Sequence, residues 1–412
     1  MPKISLSGPA ELLTVIPFHL GFQPVRSVVV VCFHGKRLGL VARLDLVDQG
    51  QAAEAAAQTL PTLLQGAPSS VALVGFEDDP DESLPLLEAL AAGVETDRVV
   101  VRERLVVHEG RWRSVGCDCC PDEGWLLPEQ ADVPAVAGYV ALGHAVLPDR
   151  DGLARLVEPL APSEPRHDLA LAAIEDWQCR YAVAGGPIAE EPGTRREPKQ
   201  PRRRSRRAQV GLGVLDGGEP TPRQFLVNDS LVAWGGVLNG EIEGYGIEHW
   251  LPSLVGPLRD VELRDALIGW LCPGTLPPDH FPDDVAVLLE VLLGPDLRVA
   301  RVAAGAQSEG PQSEVVGAAV QPPGCDEVDW NGWEEAAAPR LLLSRLEQVC
   351  RLTPAAHAAP LLSVVASLAW WVGDGARAGV AADRALELEP DHSLSRLLRD
   401  ALDRGVRPRS CA

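Results

Sequence analysis

The strongest constraint on the fold of this chain is an alternation of short β-branched runs with alanine-rich segments near the N-terminus. Residues 27–33 form a valine-rich run that is too short for a helix, and residues 38–46 alternate apolar and polar side chains. Both patterns predict strands, which a short turn joins as a hairpin. Residues 51–60 are rich in alanine and predict a helix that ends before Pro61.

The same alternation continues further along the N-terminal part. Residues 70–76 predict a buried strand, and residues 82–92 predict a helix that stops before Gly93. Residues 99–108 and 111–115 predict a second hairpin. The order β-β-α-β-α-β-β therefore predicts an α/β fold, in which helices pack on a mixed sheet.

Beyond Gly116 the apolar residues follow helical spacing, so the C-terminal half is predicted to be mostly α-helical. The predicted helices are 134–146, 152–184 with a break near 159–165, 225–238, 261–271, 284–293, 337–352 and 361–372. Residues 185–222 are rich in Gly, Pro and Arg and predict a linker. A chain of 412 residues is long enough for two or three domains. The predicted division is an α/β domain at 1–184, the linker at 185–222 and a helical domain at 223–412.

The end of the chain resembles the second helix of a tetratricopeptide repeat. Ala378 and Ala385 allow close helix packing, Pro390 stops the helix, and Ala366 stands where such a repeat has a small residue on its first helix. No convincing copy stands at the expected offset of about 34 residues. An ordinary helical hairpin is therefore the alternative interpretation of this tetratricopeptide-like end.

The charge balance limits the partners. The chain has 58 acidic and 37 basic side chains, a formal net charge of −21. This excess argues against a protein that coats nucleic acid or acidic lipid, because its field repels phosphate. Residues 195–207 are the exception, with eight basic side chains against Glu197. The eight are Arg195, Arg196, Lys199, Arg202, Arg203, Arg204, Arg206 and Arg207.

This basic run leaves nucleic acid open as a partner through residues 195–207 only, since such a run binds phosphate without sequence preference. The run contains no aromatic residue, so base stacking is not supported. The alternative is a solvated linker that pairs with acidic surface elsewhere on the chain.

The N-terminal residues and the scattered cysteines predict a cytoplasmic protein. The N-terminus has no charged region followed by an apolar stretch and a cleavage site, as a secretory signal would. The longest apolar segment, 361–372, is shorter than the roughly 20 residues that span a bilayer. Six of the nine cysteines stand singly, which is typical of reduced thiols. No membrane partner is expected.

Cys117, Cys119 and Cys120 form the strongest local cluster of metal-binding residue types. Thiolates bind zinc, and a structural site needs about four ligands, for which His108 and His144 are candidates. The cofactor is therefore unknown, and this cluster leaves zinc open. The alternatives are packed turn residues and redox chemistry.

Two further places hold candidate functional side chains. Glu77, Asp78 and Asp79 follow a predicted strand, where α/β folds often hold Mg²⁺ or a polar substrate. The alternative is local, with Asp81 as the cap of the next helix. His19 lies in a segment of apolar residues and prolines, and is either a structural histidine or a catalytic one.

The absence of four sequence motifs excludes several classes of enzyme and of metal-binding protein. The chain contains no G-x-x-x-x-G-K-[ST] phosphate loop, no G-x-S-x-G nucleophile elbow, no H-E-x-x-H zinc helix and no calcium loop of the EF-hand type.

Three segments together resemble a known family. They are residues 6–30, which include Pro-Phe-His-Leu-Gly-Phe-Gln-Pro at 17–24, the cysteine block at 117–124, and Ala-Trp-Trp-Val-Gly-Asp-Gly at 369–375 with Pro390 beyond it. This combination resembles the actinobacterial "domain of unknown function 4192" family. The resemblance covers nearly the whole chain, and it implies no activity, ligand or catalytic residue.

The leading hypothesis is a cytoplasmic protein of this uncharacterised family that acts by binding another protein. Its basis is the absence of the common catalytic signatures beside a helical half that can offer a groove. One alternative is an enzyme with a site at the sheet edge, near His19, Glu77 and the cysteine turn. A second alternative is a regulatory protein associated with zinc or nucleic acid. Whether the protein is an enzyme stays open.

Overall fold

The structure is a computed structural model of the chain. It describes residue 6 and residues 8–97, 99–117, 120–121, 123–141, 143–186, 221–275, 289 and 337–406. The described residues form two compact units. The first contains the residues up to Leu153 together with Ala337 and Asp403–Val406, and the second contains the other described residues between Ala154 and Leu402.

The first unit is an α/β unit. Its elements are α1 (Pro9–Leu20), β1 (Ser27–His34), β2 (Arg37–Asp45), α2 (Ala52–Leu64), β3 (Ser70–Glu77), α3 (Leu84–Thr96), β4 (Val100–His108), β5 (Arg111–Ser114), β6 (Trp125–Leu126) and α4 (Pro134–Ala141). The chain leaves this unit within α5 (Arg150–Leu156). The predicted β-β-α-β-α-β-β order is confirmed, with α1 before it. The two-residue strand β6 was not predicted.

The six strands form one mixed sheet in the order β2-β1-β3-β4-β5-β6. Strands β3 and β4 are parallel, and the other neighbouring pairs are antiparallel. A parallel pair needs a crossover, which α3 supplies. The central strands β1 and β3 are almost completely buried, as expected for strands with helices on both faces.

Helices α2 and α3 cover one face of the sheet. Leu86, Leu90 and Val94 of α3 pack there against Leu73 of β3, and all four are almost fully buried. Burying each of these side chains contributes roughly 1.5–3 kcal/mol. On the other face, residues of α1 line a small cavity together with Val31 of β1.

Two helices run further than the sequence predicts. Helix α2 continues through Pro61 to Leu64, because Leu63 is buried in the core and its packing outweighs the hydrogen bond that proline removes. Helix α3 continues through Gly93 to Thr96. A side chain at Gly93 would overlap Leu60 of α2, so this glycine serves helix packing and not helix termination.

The second unit is helical. Its elements are α6 (His167–Val183), α7 (Pro222–Asn239), α8 (Tyr245–Val255), a short 3-10 helix (Gly256–Arg259), α9 (Val261–Leu271), α10 (Ala337–Leu352), α11 (Ala355–Trp371), α12 (Gly375–Leu388) and α13 (Ser393–Asp403), whose last residue belongs to the first unit. The mostly α-helical C-terminal half is therefore confirmed. Helix α8 was not predicted, because Gly246 and Pro252 interrupt its pattern.

Helices α11 and α12 pack along each other as a helical hairpin, joined by a turn at Gly373. The tetratricopeptide-like character of this end stays a prediction, as does the division at 184 and 222. The predicted helix 284–293, except residue 289, and linker residues 187–220 lie outside the described residues. Among the helices that the structure describes, none is long and apolar enough to cross a membrane.

Candidate functional site

Glu77 ends β3 and organises the loop that follows it. Its carboxylate accepts hydrogen bonds from the backbone amides of Asp81 and Ser83, both at 2.9 Å, and from the Ser83 hydroxyl. Gly75 permits this approach, because a methyl group at position 75 would overlap the Ser83 side chain. The buried Glu77 carboxylate is therefore fully engaged within its own loop.

The Glu82 carboxylate accepts hydrogen bonds from the backbone amides in the first half of this loop. Its Oε1 atom accepts the amides of Asp78 (2.7 Å) and Asp79 (3.3 Å), and Oε2 accepts from Arg26 Nε at 3.1 Å. Desolvation raises the pKa of Glu82, but the two amides and the Arg26 guanidinium outweigh it and lower that pKa below its ordinary value. Backbone amides that bind phosphate in other loops are here occupied by the chain's own carboxylates.

The interpretation of Asp81 as the cap of helix α3 is wrong. Asp81 adopts a left-handed conformation with φ of 66° and forms an ion pair with Arg113 of β5. Helix α3 begins two residues after Glu82, and the Ser83 side chain before it bonds to Glu77 instead of a helix amide.

The cysteine turn follows β5, and only part of it is described. Cys117 is disulfide-bonded, and Cys119 lies outside the described residues. Cys120 has a free thiol and is half-buried. A disulfide sulfur is no zinc ligand, because zinc binds the thiolate. Of the six single cysteines that were predicted to be reduced, Cys32, Cys179, Cys272 and Cys350 are free thiols, and Cys325 and Cys411 lie outside the described residues.

The two histidines proposed as zinc ligands have protein neighbours of their own. His108 Nδ1 lies 3.4 Å from the Glu77 carbonyl oxygen. His144 is buried, with Nδ1 2.9 Å from the Phe18 carbonyl oxygen and its ring edge-on to Tyr139. In the part of the chain that the structure describes, no three His, Cys, Asp or Glu side chains are grouped to hold a metal ion. The zinc site stays a prediction.

His19 lies in α1 beside a cavity of about 10 Å³, which has mostly apolar walls. A cavity of that size is at the lower limit for one water molecule. Val31 lines the same cavity and pairs with Ala72 in the sheet. Ala72 and Glu77 are five residues, or about 17 Å, apart along β3. His19 and the loop carboxylates therefore do not form one site.

The helical unit contains a polar network that the sequence analysis missed. Tyr181 of α6 donates its hydroxyl hydrogen to Asp260 Oδ2 at 2.6 Å, and Arg223 of α7 contacts both groups at 3.0 Å. Asp260 also caps α9 through the amide of Glu262. Desolvation, followed by Asp260, raises the pKa of Tyr181 far above its ordinary value. An aspartate directly before a predicted helix was the available signal.

Two buried histidines lie in the same unit. His392 precedes α13 and accepts the Ser395 amide through Nδ1 at 3.3 Å, as a helix cap does. Burial and the nearby Arg264 lower its pKa to about 4. His357 is also buried, and burial followed by Arg259 lowers its pKa. Both rings are therefore neutral near pH 7.

Helix α7 carries apolar side chains on both of its faces. Leu231 and Trp234 are buried in the core on the inner face. On the outer face Phe225 and Val232 are 59% and 48% exposed, and the exposed Asp229 lies between them. Positions i, i+4 and i+7 of a helix share one side. We call these three outer residues the α7 stripe.

The chain matches the model of the family described as "Domain of unknown function (DUF4192)" over residues 9–281 and 282–409. The chain belongs to this family. No curated protein matches the chain, and no solved structure does. The family description names no activity, so DUF4192 membership assigns no substrate and no catalytic residue.

The segment 369–375, which carries part of the DUF4192 resemblance, has a structural role. Asp374 caps α12 through the Arg377 amide at 3.1 Å and pairs with the side chains of Arg340 (3.4 Å) and Arg377 (3.3 Å). Arg377 also contacts the buried Glu347 at 2.6 Å. Desolvation raises the pKa of Glu347 despite this arginine. The network joins α10 to the turn between α11 and α12.

The basic run of this DUF4192 chain lies outside the described residues. This applies to Arg202, Arg203, Arg204, Arg206 and Arg207, together with the rest of 195–207. Contact with nucleic acid through this run stays a prediction.

Proposed function

We propose that the protein acts by binding another protein, and that the α7 stripe is part of the contact surface. The observation that carries the proposal is the exposure of Phe225 and Val232 on a helix whose opposite face is already buried. A helix at the surface of a unit normally has polar residues on its outer side. Apolar side chains on both sides suit a helix that lies between its own core and a partner.

The free energy gained by covering Phe225 and Val232 supports this proposal. Covering a fully exposed Phe or Val contributes roughly 1.5–3 kcal/mol, so the half-exposed pair contributes about 1.5–3 kcal/mol together. Aromatic side chains in particular carry binding energy at interfaces. Two turns of helix separate Phe225 from Val232, which is the spacing of anchors in a helix-mediated contact.

The enzyme alternative has less support. The carboxylates of Glu77 and Glu82 already accept hydrogen bonds from backbone amides of their own loop. The cavity beside His19 is about 10 Å³, and so is a second one between α7 and α9. Neither is large enough for a substrate. Among the described residues, we therefore find stronger support for a contact surface than for a catalytic centre.

A photo-reactive amino acid at position 225 or 232 tests the proposal in cells that naturally express the protein. We expect a discrete cross-linked product from both positions. Leu397 of α13 is the matched control, because it is an apolar side chain that is similarly exposed. No product from either position would overturn the proposal, and so would equal products from position 397.

A cytoplasmic location is part of this proposal and is tested by cell fractionation. The free thiols of Cys32, Cys120, Cys179, Cys272 and Cys350 favour a reducing compartment. The disulfide at Cys117 favours an oxidising one. Recovery of the protein outside the cytoplasm would reject this part alone.

The regulatory alternative rests on the predicted zinc ligands and on the basic run at 195–207; the predicted ligands are Cys117, Cys119, Cys120, His108 and His144. Metal analysis of untagged protein tests the zinc site, and a folded protein without zinc would reject it. A mobility-shift assay at low salt, with and without residues 195–207, tests nucleic-acid contact. Equal binding by both proteins would reject a role of the run.

A further inference from the structure

We infer that the partner presents Lys or Arg side chains around its apolar contact with the α7 stripe. This inference rests on the proposed function and names the chemistry of the partner. Its first basis is the sequence of α7 and α8. Residues 224–258 contain four carboxylates, at Asp229, Glu241, Glu243 and Glu248, and no Lys or Arg.

Three of these carboxylates are exposed beside exposed apolar residues. Asp229 lies within the α7 stripe, and Glu241 and Glu243 follow at the end of α7. The loop folds back on the helix, because the Glu241 amide donates to the Gly236 carbonyl oxygen at 2.8 Å. Gly236 is one turn, or about 6 Å, beyond Val232. The loop thus extends the stripe.

Tyr245 follows Glu243 by two residues and is 86% exposed at the start of α8. We call the α7 stripe, Glu241, Glu243 and Tyr245 together the α7–α8 surface. In the described part of the chain, none of its three carboxylates forms an ion pair. The nearby Arg345 of α10 donates to the Leu238 carbonyl oxygen, so its guanidinium caps the end of α7.

The position of Asp229 determines the charge of the partner. A partner that covers Phe225 and Val232 also removes water from the carboxylate between them. Burying an unpaired carboxylate is strongly unfavourable, whereas pairing it with a cation compensates the lost hydration. A Lys or Arg opposite Asp229 satisfies this requirement, and the same cations are attracted to the aromatic faces of Phe225 and Tyr245.

The net charge of the chain also favours a basic partner. A net charge of −21 attracts a basic partner at long range and repels an acidic one. We therefore expect the association to weaken when salt is added, through a slower association rate.

The partner captured by cross-linking at 225 and 232 is the probe for the test. Its affinity is measured for the natural chain and for the triple variant Asp229→Asn/Glu241→Gln/Glu243→Gln. The control variant is Glu88→Gln/Glu95→Gln/Asp97→Asn, which removes the same charge from exposed carboxylates of the first unit. We expect the surface variant to bind about tenfold more weakly or worse, and the control to lose less than about threefold.

The outcomes separate the two proposals. If no partner is captured, the proposed function is wrong and this inference is wrong with it. If a partner is captured and both variants bind it equally well, protein binding stands and the basic partner surface is wrong. Cross-linked partner peptides without Lys or Arg would lead to the same second conclusion.

Discussion

Acidification should weaken the helical unit through its buried histidines, and His392 has the larger effect because its pKa is lowered to about 4. Its Nδ1 atom caps α13, and its Nε2 atom lies 3.4 Å from the Arg264 guanidinium. Glu389 and Arg259 also act on the ring, the first raising and the second lowering its pKa. Burial is the largest cause, and the pKa falls from its ordinary 6.5 to about 4. A protonated ring would lose the cap and face Arg264 as a like charge.

The sign and size follow from linkage. Between pH 6.5 and 4 the unfolded chain binds a proton at position 392, whereas the folded chain does not, so stability falls as the pH falls through this window. A difference of about 2.5 pKa units corresponds to at most about 3.4 kcal/mol. By about pH 5 the loss amounts to about 2 kcal/mol, and below about pH 4 it stops growing.

Urea unfolding near pH 7.5 and near pH 5 measures this loss, with His392→Asn as the comparison. Asparagine is a good helix cap and does not titrate. The variant should therefore lack about 2 kcal/mol of the acid destabilisation of the natural chain, while the carboxylates titrate equally in both. If both proteins lose the same free energy between the two pH values, His392 is not held neutral and the reasoning fails.

Three other substitutions test the packing and polar contacts of the two units. Gly75→Ala should lower the free energy of unfolding by about 1–3 kcal/mol, because the methyl group overlaps Ser83; Gly50→Ala meets nothing within 4 Å and should change it by less than about 0.5 kcal/mol. Equal urea midpoints would reject the close approach. Tyr181→Phe should cost about 1–3 kcal/mol in urea unfolding, since it removes a buried hydroxyl from an ion-paired network; an unchanged midpoint would contradict that network. Asp374→Ala should cost about 3–5 kcal/mol and Asp374→Asn less, because asparagine keeps the helix cap; equal thermal shifts would mean that the cap contributes nothing.

The strands could be predicted because their signal is local. A run such as 27–33 is β-branched and too short for a helix, and the order of elements then limits the sheet. The ends of helices depend on contacts from elsewhere. Pro61 fails to end α2 because Leu63 is buried, and Gly93 fails to end α3 because Leu60 packs against it. Strand β6 is too short to produce a pattern.

The loop after β3 illustrates why the site was harder to predict than the fold. The run of acids from Glu77 to Glu82 indicates a cation site if the carboxylates point away from the chain. In the structure the path of the loop turns its amides towards Glu77 and Glu82, and this path depends on Gly75 and on the left-handed Asp81. The spacing of apolar residues along the sequence does not predict the backbone path of such a loop.

Helix α7 was predicted from the sequence, but the side of it that faces the core was not. Its apolar residues surround the helix, so the sequence gives no preferred inward side. Only packing shows that Trp234 is inside and that Phe225 and Val232 are outside. The polar groups of the β3 loop and of the Tyr181 network satisfy one another, whereas the α7–α8 surface offers unpaired carboxylates beside exposed apolar side chains. A second protein can satisfy both at once, and the proposal of protein binding rests on this surface.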